Sequence, residues 1–310
     1  MWYTYCIRQN ALCRKTGITM KHTQVKKGFF PALRRILFRV LCVVCALTVT
    51  LAFAAFFCLI SDEVCANNAR TLPPYARENI LPVLEKQTWT EEDYDFLYRQ
   101  TGLGRAPLDA LKGQTQRILA FQDALFYDAE LACSWTTPTT PHEYTVNYIA
   151  PLAPIEDGDI FITSSCHTYG WQHGHAAIVT DAEHGRLLQS LALGLLSAEQ
   201  SPDWFRQSAN FLVLRLKGVS AEERAAIAQH AQEHYVGVPY DVFTGIFSPR
   251  DQGDDLVSTN CCHLVWQAFY AFGYDLDTDG GLICSCRDIA ASPLLEVVQV
   301  YGFDPLTLWN

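Results

Sequence analysis

Acidic residues are missing from the first 39 positions of this 310-residue chain. Those positions carry nine basic residues instead: Arg8, Arg14, Lys15, Lys21, Lys26, Lys27, Arg34, Arg35 and Arg39. Charge of either sign is missing from Val40 to Ile60. Methionine is nearly absent, with Met1 and Met20 its two occurrences, and a start at Met20 would still give a basic leader. Residues 1–19 therefore read as an extension without a structural role. No self-similarity recurs at roughly 20–50 residues, which excludes a solenoid or propeller. Low complexity is absent too: 49% of residues are hydrophobic and 18% charged, a composition that buries a core and excludes disorder as the main state.

What is present is sharply divided. Removing the nine N-terminal positive charges from a formal net charge of −10 leaves −19 on residues 40–310. A body this acidic repels phosphate backbones, so nucleic acid is excluded as a partner. The 21 uncharged residues from Val40 to Ile60 would span ~31 Å as a helix, matching a hydrocarbon core of ~30 Å. Basic residues precede the run and Asp62 and Glu63 follow it. The Lys/Arg bias keeps residues 1–39 in the cytoplasm and sends the C-terminal body outside. A cleaved signal peptide is the alternative, with Val64-Cys65-Ala66 as a small-residue cleavage site, although the run exceeds the usual ~7–15 apolar residues. We expect a single-pass signal anchor, and export of the body in either case. Five of the 12 cysteines lie at or before Cys58. The other seven are Cys65, Cys133, Cys166, Cys261, Cys262, Cys284 and Cys286, an odd number that leaves at least one thiol unpaired within an exported body.

Local signals then divide the chain into a tail (1–39), a membrane anchor (40–60), a juxtamembrane linker (61–89), a helical prelude and loop (90–154) and a catalytic domain (155–310). Thr90 caps a helix with acidic residues in its first turn, and Gly102 ends it. A second helix is expected over about 114–131, and the Thr/Pro-rich stretch 134–154 reads as a loop. Strands are expected at 159–165, 176–181, 187–191, 211–217 and 297–301. Ser220 with Glu223 forms a capping box for a helix reaching about Tyr235, and Asn260 caps another over 261–272. The fold class is α+β, a small antiparallel sheet with packed helices.

Chemistry concentrates at the start of the helix that Asn260 caps. Cys261 lies in its first turn, where unpaired N–H groups and the dipole favour an anion. Leu264, Val265 and Ala268 continue its apolar stripe toward the sheet. A thiolate there is a nucleophile, and a buried structural thiol is the equal alternative. Four histidines crowd positions 167–184, and His175, at the start of a strand, can aim an imidazole at that thiol. The hairpin that follows brings Gln189 back roughly opposite His175, as a candidate to orient the ring. His173, Tyr169 and Trp171 belong to an aromatic loop suited to a substrate rim. A zinc site from Cys284, Cys286, Cys261, Cys262 and His263 lacks any Cys-x-x-Cys pair or standard spacing, so no metal and no cofactor is expected.

The segments GDIFIT (158–163), HGHAAIV (173–179), GVPYDV (237–242), NCCHLVW (260–266) and DIAASPLLEVV (288–298) resemble, in order and spacing, the circularly permuted NlpC-like amidases of the YiiX type. The resemblance covers about 155–303 and implies a permuted papain-like fold. It implies a thiol hydrolase with Cys261 as nucleophile, His175 as base, Gln189 as orienting residue and Tyr240 near the oxyanion or substrate. Where many members have Cys-Ser-Glu-Leu-Val, this chain has Cys-Cys-His-Leu-Val, which leaves Cys262 as an alternative nucleophile. Asn260-Cys261-Cys262-His263 is also similar to the Asn-Cys-Glu-His motif of lecithin retinol acyltransferase-like proteins, which move acyl chains. The expected substrate is a peptide or an acylated small molecule, for an exported amidase the stem peptide of peptidoglycan. A catalytically inactive papain-fold binding domain is the reading from another class.

Overall fold

The computed structural model describes residues 29–137, 140–168 and 171–308. The N-terminal tail up to residue 28 and Tyr169 of the rim loop lie outside them. The chain divides into two compact units at Phe56/Phe57. In the first, the described residues belong to one helix, α1 (Phe29–Asn67), whose final turns belong to the second unit. Val40–Ile60 falls inside α1, and an 18-residue stretch of it reaches a mean hydropathy of 2.7 with none of it buried. It is long and apolar enough to cross a membrane, and a signal sequence would meet the same criteria.

The second unit, residues 57–310, is built on a six-stranded antiparallel sheet. Its strands are β3 (Ile160–Thr163), β4 (His175–Asp181), β5 (Arg186–Gln189), β6 (Ala198–Gln200), β7 (Phe211–Leu216) and β8 (Leu295–Tyr301), in the order β6-β5-β4-β3-β7-β8. A two-stranded hairpin, β1 (Leu131–Thr137) and β2 (Thr140–Thr145), stands beside it. The segment expected as a loop over 134–154 is thus partly strand. Its Thr-rich composition favours extended chain, and β2 is paired with β1 and mostly buried. The helix expected to reach residue 131 stops at Phe126, because Leu131 begins β1.

Successive side chains alternate between two layers, and the central strands β3, β4 and β7 have no exposed residue. Ile160, Ile162, Ala176, Ile178, Leu212 and Leu214 face one apolar cluster, shared with α7 (Ala221–Tyr235), α8 (Cys261–Tyr270) and α9 (Cys286–Ala290). Phe161, Ala177, Val179, Leu187, Phe211 and Val213 face another, shared with the helices that precede the sheet. These are α2 (Leu81–Leu84), α3 (Glu91–Thr101), α4 (Arg105–Ala110) and α5 (Thr115–Phe126), followed after β6 by the short α6 (Asp203–Gln207). Because successive side chains point to opposite faces, a strand covered on both faces reads as a near-continuous apolar run, as IFI in β3 and FLVL in β7 do. The helical prelude therefore forms one layer of the body.

The stretch after α1 is also fixed. Arg70 donates from Nη1 to the Ala209 carbonyl at 2.9 Å and from Nη2 to the Tyr127 carbonyl at 2.9 Å, and Ile80 is fully buried. The part of the expected linker from 61 to 67 continues α1 as helix. Beneath the sheet, Arg215 grips Asp159 with two bonds, Nε to Oδ1 at 2.7 Å and Nη2 to Oδ2 at 2.8 Å.

Candidate active site

Helix α8 begins where its sequence says it should. Asn260 has extended backbone angles and its side chain accepts from the His263 N–H at 3.0 Å. This cap places Cys261 in the first turn. Every residue of α8 through Phe269 is buried, so the helix is enclosed rather than half-exposed.

Strand β4 supplies the imidazole. His175 is paired with Thr163 of β3 at the start of the strand and is itself buried. Its Nε2 and Gln189 Oε1 are 2.6 Å apart, so Nε2 carries the proton donated to the amide oxygen. Gln189 is held in turn by its amide NH2, which donates to Gln200 Oε1 at 2.8 Å on β6. Cys261 and His175 are close enough that each ionised form stabilises the other, by charge and by hydrogen bonding. Cys261, His175 and Gln189 are brought together.

The electrostatics separate the two adjacent cysteines. Cys261 is held well below the ordinary thiol range. The Cys262 and Cys286 S–H groups stabilise its anion most, burial opposes them, and the His175 charge and hydrogen bond add to the lowering. Cys262 is pushed well above that range, because it shares protons with Cys261 and Cys286 and is buried. Burial alone would lower the His175 pKa, but the Cys261 charge and the bonds to Cys261 and Gln189 reverse it to a net rise. The pair therefore favours a thiolate and an imidazolium.

Residues around the pair form a half-open rim. Trp171 is 60% exposed and stands edge-on to His173, ring centroids 5.5 Å apart. His173 Nδ1 donates to the Gly174 carbonyl at 2.8 Å, and Nε2 lies 3.1 Å from Thr168 Oγ1. Burial lowers its pKa, so it stays neutral beside the charged pair. Tyr240 follows a loop bridged to Thr259, two residues before Cys261, and burial next to the Cys261 charge raises its pKa.

Other residues at the site were not assigned to it by the sequence, Cys286 having entered only as a zinc candidate. Trp204 and Phe205 on α6 pack against the His175 ring at 5.2 and 5.6 Å between centroids. His142, on the hairpin read as loop, stacks on Trp204 at 4.4 Å. Burial and the nearby His175 push its pKa down to about 4. Ser208 Oγ donates to the Trp204 carbonyl, so His142 Nε2 donates to Ser208 Oγ at 2.9 Å. Cys286 Sγ lies 2.8 Å from Cys262 Sγ. Gly174, with φ +69°, makes room for it: a Cβ there would come 3.2 Å from Cys286 Sγ and 2.6 Å from the Thr163 carbonyl oxygen.

Among the described residues, two groups of side chains have the spacing of metal ligands. The thiols of Cys261, Cys262 and Cys286 all lie within 4.8 Å of one another, one ligand short of a closed zinc site. His263 does not complete it, because its Nε2 donates to the Arg250 carbonyl at 2.6 Å. Asp277, Asp279 and Asp288 converge similarly, with Arg250 Nη2 2.6 Å from Asp277 Oδ2.

No known family model matches the chain, and no curated protein matches it. One solved structure that does is the crystal structure of metalloprotein yiiX from Escherichia coli O157:H7, with 17% identity over 47% of this chain and 97% of that one and a TM-score of 0.34. This is a remote YiiX neighbour to an α+β chain with an apolar N-terminal helix, and the papain-type permutation stays a resemblance of motifs.

Proposed function

We propose that this chain is a cysteine hydrolase of amide bonds, an amidase or endopeptidase held at the outer face of a membrane, with peptidoglycan stem peptides as its substrate class. One observation carries the reading: His175, 2.6 Å from Gln189 Oε1 at its Nε2, shares charge with Cys261 at the capped start of α8, each favouring the other's ionised form. A buried structural thiol needs neither a lowered pKa nor an imidazole held in one tautomer.

In the reaction the Cys261 thiolate adds to the substrate carbonyl carbon. The oxyanion that forms is stabilised by the N–H at the helix start and by the Tyr240 hydroxyl. His175 passes a proton to the leaving amine, and the C–N bond breaks to give a thioester. Neutral His175 then takes a proton from water, which adds to the thioester carbonyl. Collapse of that adduct expels Cys261 as thiolate, and the acid product leaves. Gln189 fixes the ring throughout.

A second reading has one observation in its favour. Leu195, Leu196, Phe243 and Phe247 are exposed on loops flanking Tyr240, with the Tyr240 N–H donating to the Leu195 carbonyl at 3.2 Å. An apolar border of this kind suits an acyl chain, as in an acyltransferase or lipid thioesterase. The deciding experiment offers the full chain either disaccharide stem peptides or fatty-acyl esters and follows product by mass spectrometry, with Cys261→Ala as the blank. Release of a new amine from the peptides supports the amidase. Turnover of acyl esters alone replaces it with the second reading, and no Cys261-dependent turnover of either overturns both.

A further inference from the structure

Three thiols meet at the head of α8, and hydrolysis uses one of them. Cys262 Sγ lies 2.8 Å from Cys286 Sγ and 3.8 Å from Cys261 Sγ, with all three residues buried. A disulfide requires about 2.05 Å between sulfurs, so Cys262 and Cys286 need to close by under an ångström. They come from different elements, the first turns of α8 and α9, and are 24 residues apart. Cys261 and Cys262 are adjacent, with Cα atoms ~3.8 Å apart, below the ~4.4 Å at which disulfides begin to fit. Geometry thus singles out Cys286 as the partner of either neighbour.

We propose that Cys262 and Cys286 are a resolving dithiol, a site of oxidative modification that takes up the oxidation of Cys261 by a hydroperoxide and returns it as thiolate. The proposal rests on Cys261 being the reactive thiol of the reading above, not on which bond that thiol cleaves. The Cys261 sulfur attacks one peroxide oxygen and the O–O bond breaks, leaving Cys261 as sulfenic acid. The hydroxide released takes the His175 proton and becomes water. The Cys286 thiol attacks the sulfenic sulfur, forms the Cys261–Cys286 disulfide and expels a second water. Cys262 gives its proton to His175 and attacks Cys286, and Cys261 leaves as thiolate. It is the better leaving group of the two because its anion is the more stable. The balance is one hydrogen peroxide and two thiols in, one disulfide and two waters out. Without a resolving partner the sulfenic acid goes on to sulfinic acid, which is irreversible for a hydrolase of this kind.

The experiment treats the full chain, in detergent, with one equivalent of hydrogen peroxide for the disulfide map and with two, the number that sulfinic acid consumes, for the comparison with the variants. Remaining thiols are then blocked with iodoacetamide, and the positions of modification are read by fragmentation mass spectrometry. The expected wild-type result is loss of the Cys262 and Cys286 thiols into one disulfide while Cys261 remains alkylated. Cys286→Ser should accumulate Cys261 sulfinic acid, and Cys133→Ser, an exposed thiol outside the cluster, should behave as wild type. Sulfinic acid at Cys261 accumulating equally in wild type and Cys286→Ser overturns the proposal. So does a wild-type chain whose Cys262 and Cys286 both remain alkylated after Cys261 has been oxidised. The wild-type map decides by itself should Cys286→Ser fail to fold. None of these readouts involves hydrolysis, so their failure leaves the amidase reading standing.

Discussion

Gln189 Oε1 sits 2.6 Å from His175 Nε2, and this contact holds the imidazole whose charge and that of Cys261 favour each other. The amide cannot flip, because its NH2 is engaged by Gln200 Oε1 at 2.8 Å. Gln189→Ala should lower kcat by roughly tenfold or more with a smaller change in KM, as expected when general acid–base transfer loses its geometry. Gln189→Glu should instead hold the imidazolium more tightly and extend activity to higher pH. Steady-state kinetics across pH check both, and unchanged kcat in Gln189→Ala would remove Gln189 from the machinery.

The two neighbouring thiols should separate on substitution. Cys261→Ser should abolish turnover and alkylation at that position. Cys262→Ser should keep turnover, with the acid limb of the pH profile shifted upward, since a donor to the Cys261 thiolate has been weakened. Loss of activity in Cys262→Ser with Cys261→Ser active would move the nucleophile by one residue.

The pH window follows from two opposed shifts. The Cys261 pKa is lowered, so its thiolate persists as pH falls until that depressed value is crossed. The His175 pKa is raised, so its imidazolium persists as pH rises until that elevated value is crossed. The ion pair fills the interval between them, whereas an ordinary thiol, with pKa ~8.5, is mostly protonated near pH 6. Iodoacetamide should therefore label Cys261 rapidly near pH 6, and His175→Ala should abolish most of that low-pH reactivity. His173→Ala should alter substrate affinity more than thiol reactivity. An unchanged alkylation profile in His175→Ala would dissolve the dyad.

Stability should depend on the Asp159–Arg215 pair beneath the sheet. Asp159 is fully buried and Arg215 nearly so, joined by two hydrogen bonds. Asp159→Ala removes two bonds from a buried guanidinium and leaves it Glu156, 2.6 Å from Nη1, as counter-charge, which costs up to about 3–5 kcal/mol. Urea unfolding of the variant should show that loss, and a change within about 0.5 kcal/mol would mean that Glu156 or water replaces the partner.

The charge bias around α1 predicts that the C-terminal body lies outside. A C-terminal reporter that works only in the cytoplasm should stay dark, and one that works only outside should be active. A bright cytoplasmic reporter would overturn the export of the body.

By itself the sequence determined the local features. Capping by Thr90, Ser220 and Asn260 depends on a side chain meeting an N–H three residues on, so it is written in the sequence at that spacing. The turn between β4 and β5 is short, so Gln189 had to return near His175. The apolar length of α1 and the charges before and after the Val40–Ile60 run are also sequence properties. Only the tertiary structure decided what lies across the sheet and between distant segments. The prelude covers the second face of the sheet, a fact that continuous apolar strands permit but do not assign to any partner. His142 reaches Trp204 from a hairpin whose Thr and Pro residues look like loop. Cys286 reaches Cys262 after a return through 271–285, irregular chain with no periodicity to indicate its path. Contacts of that kind depend on how layers dock and loops close, and one-dimensional spacing carries no record of either.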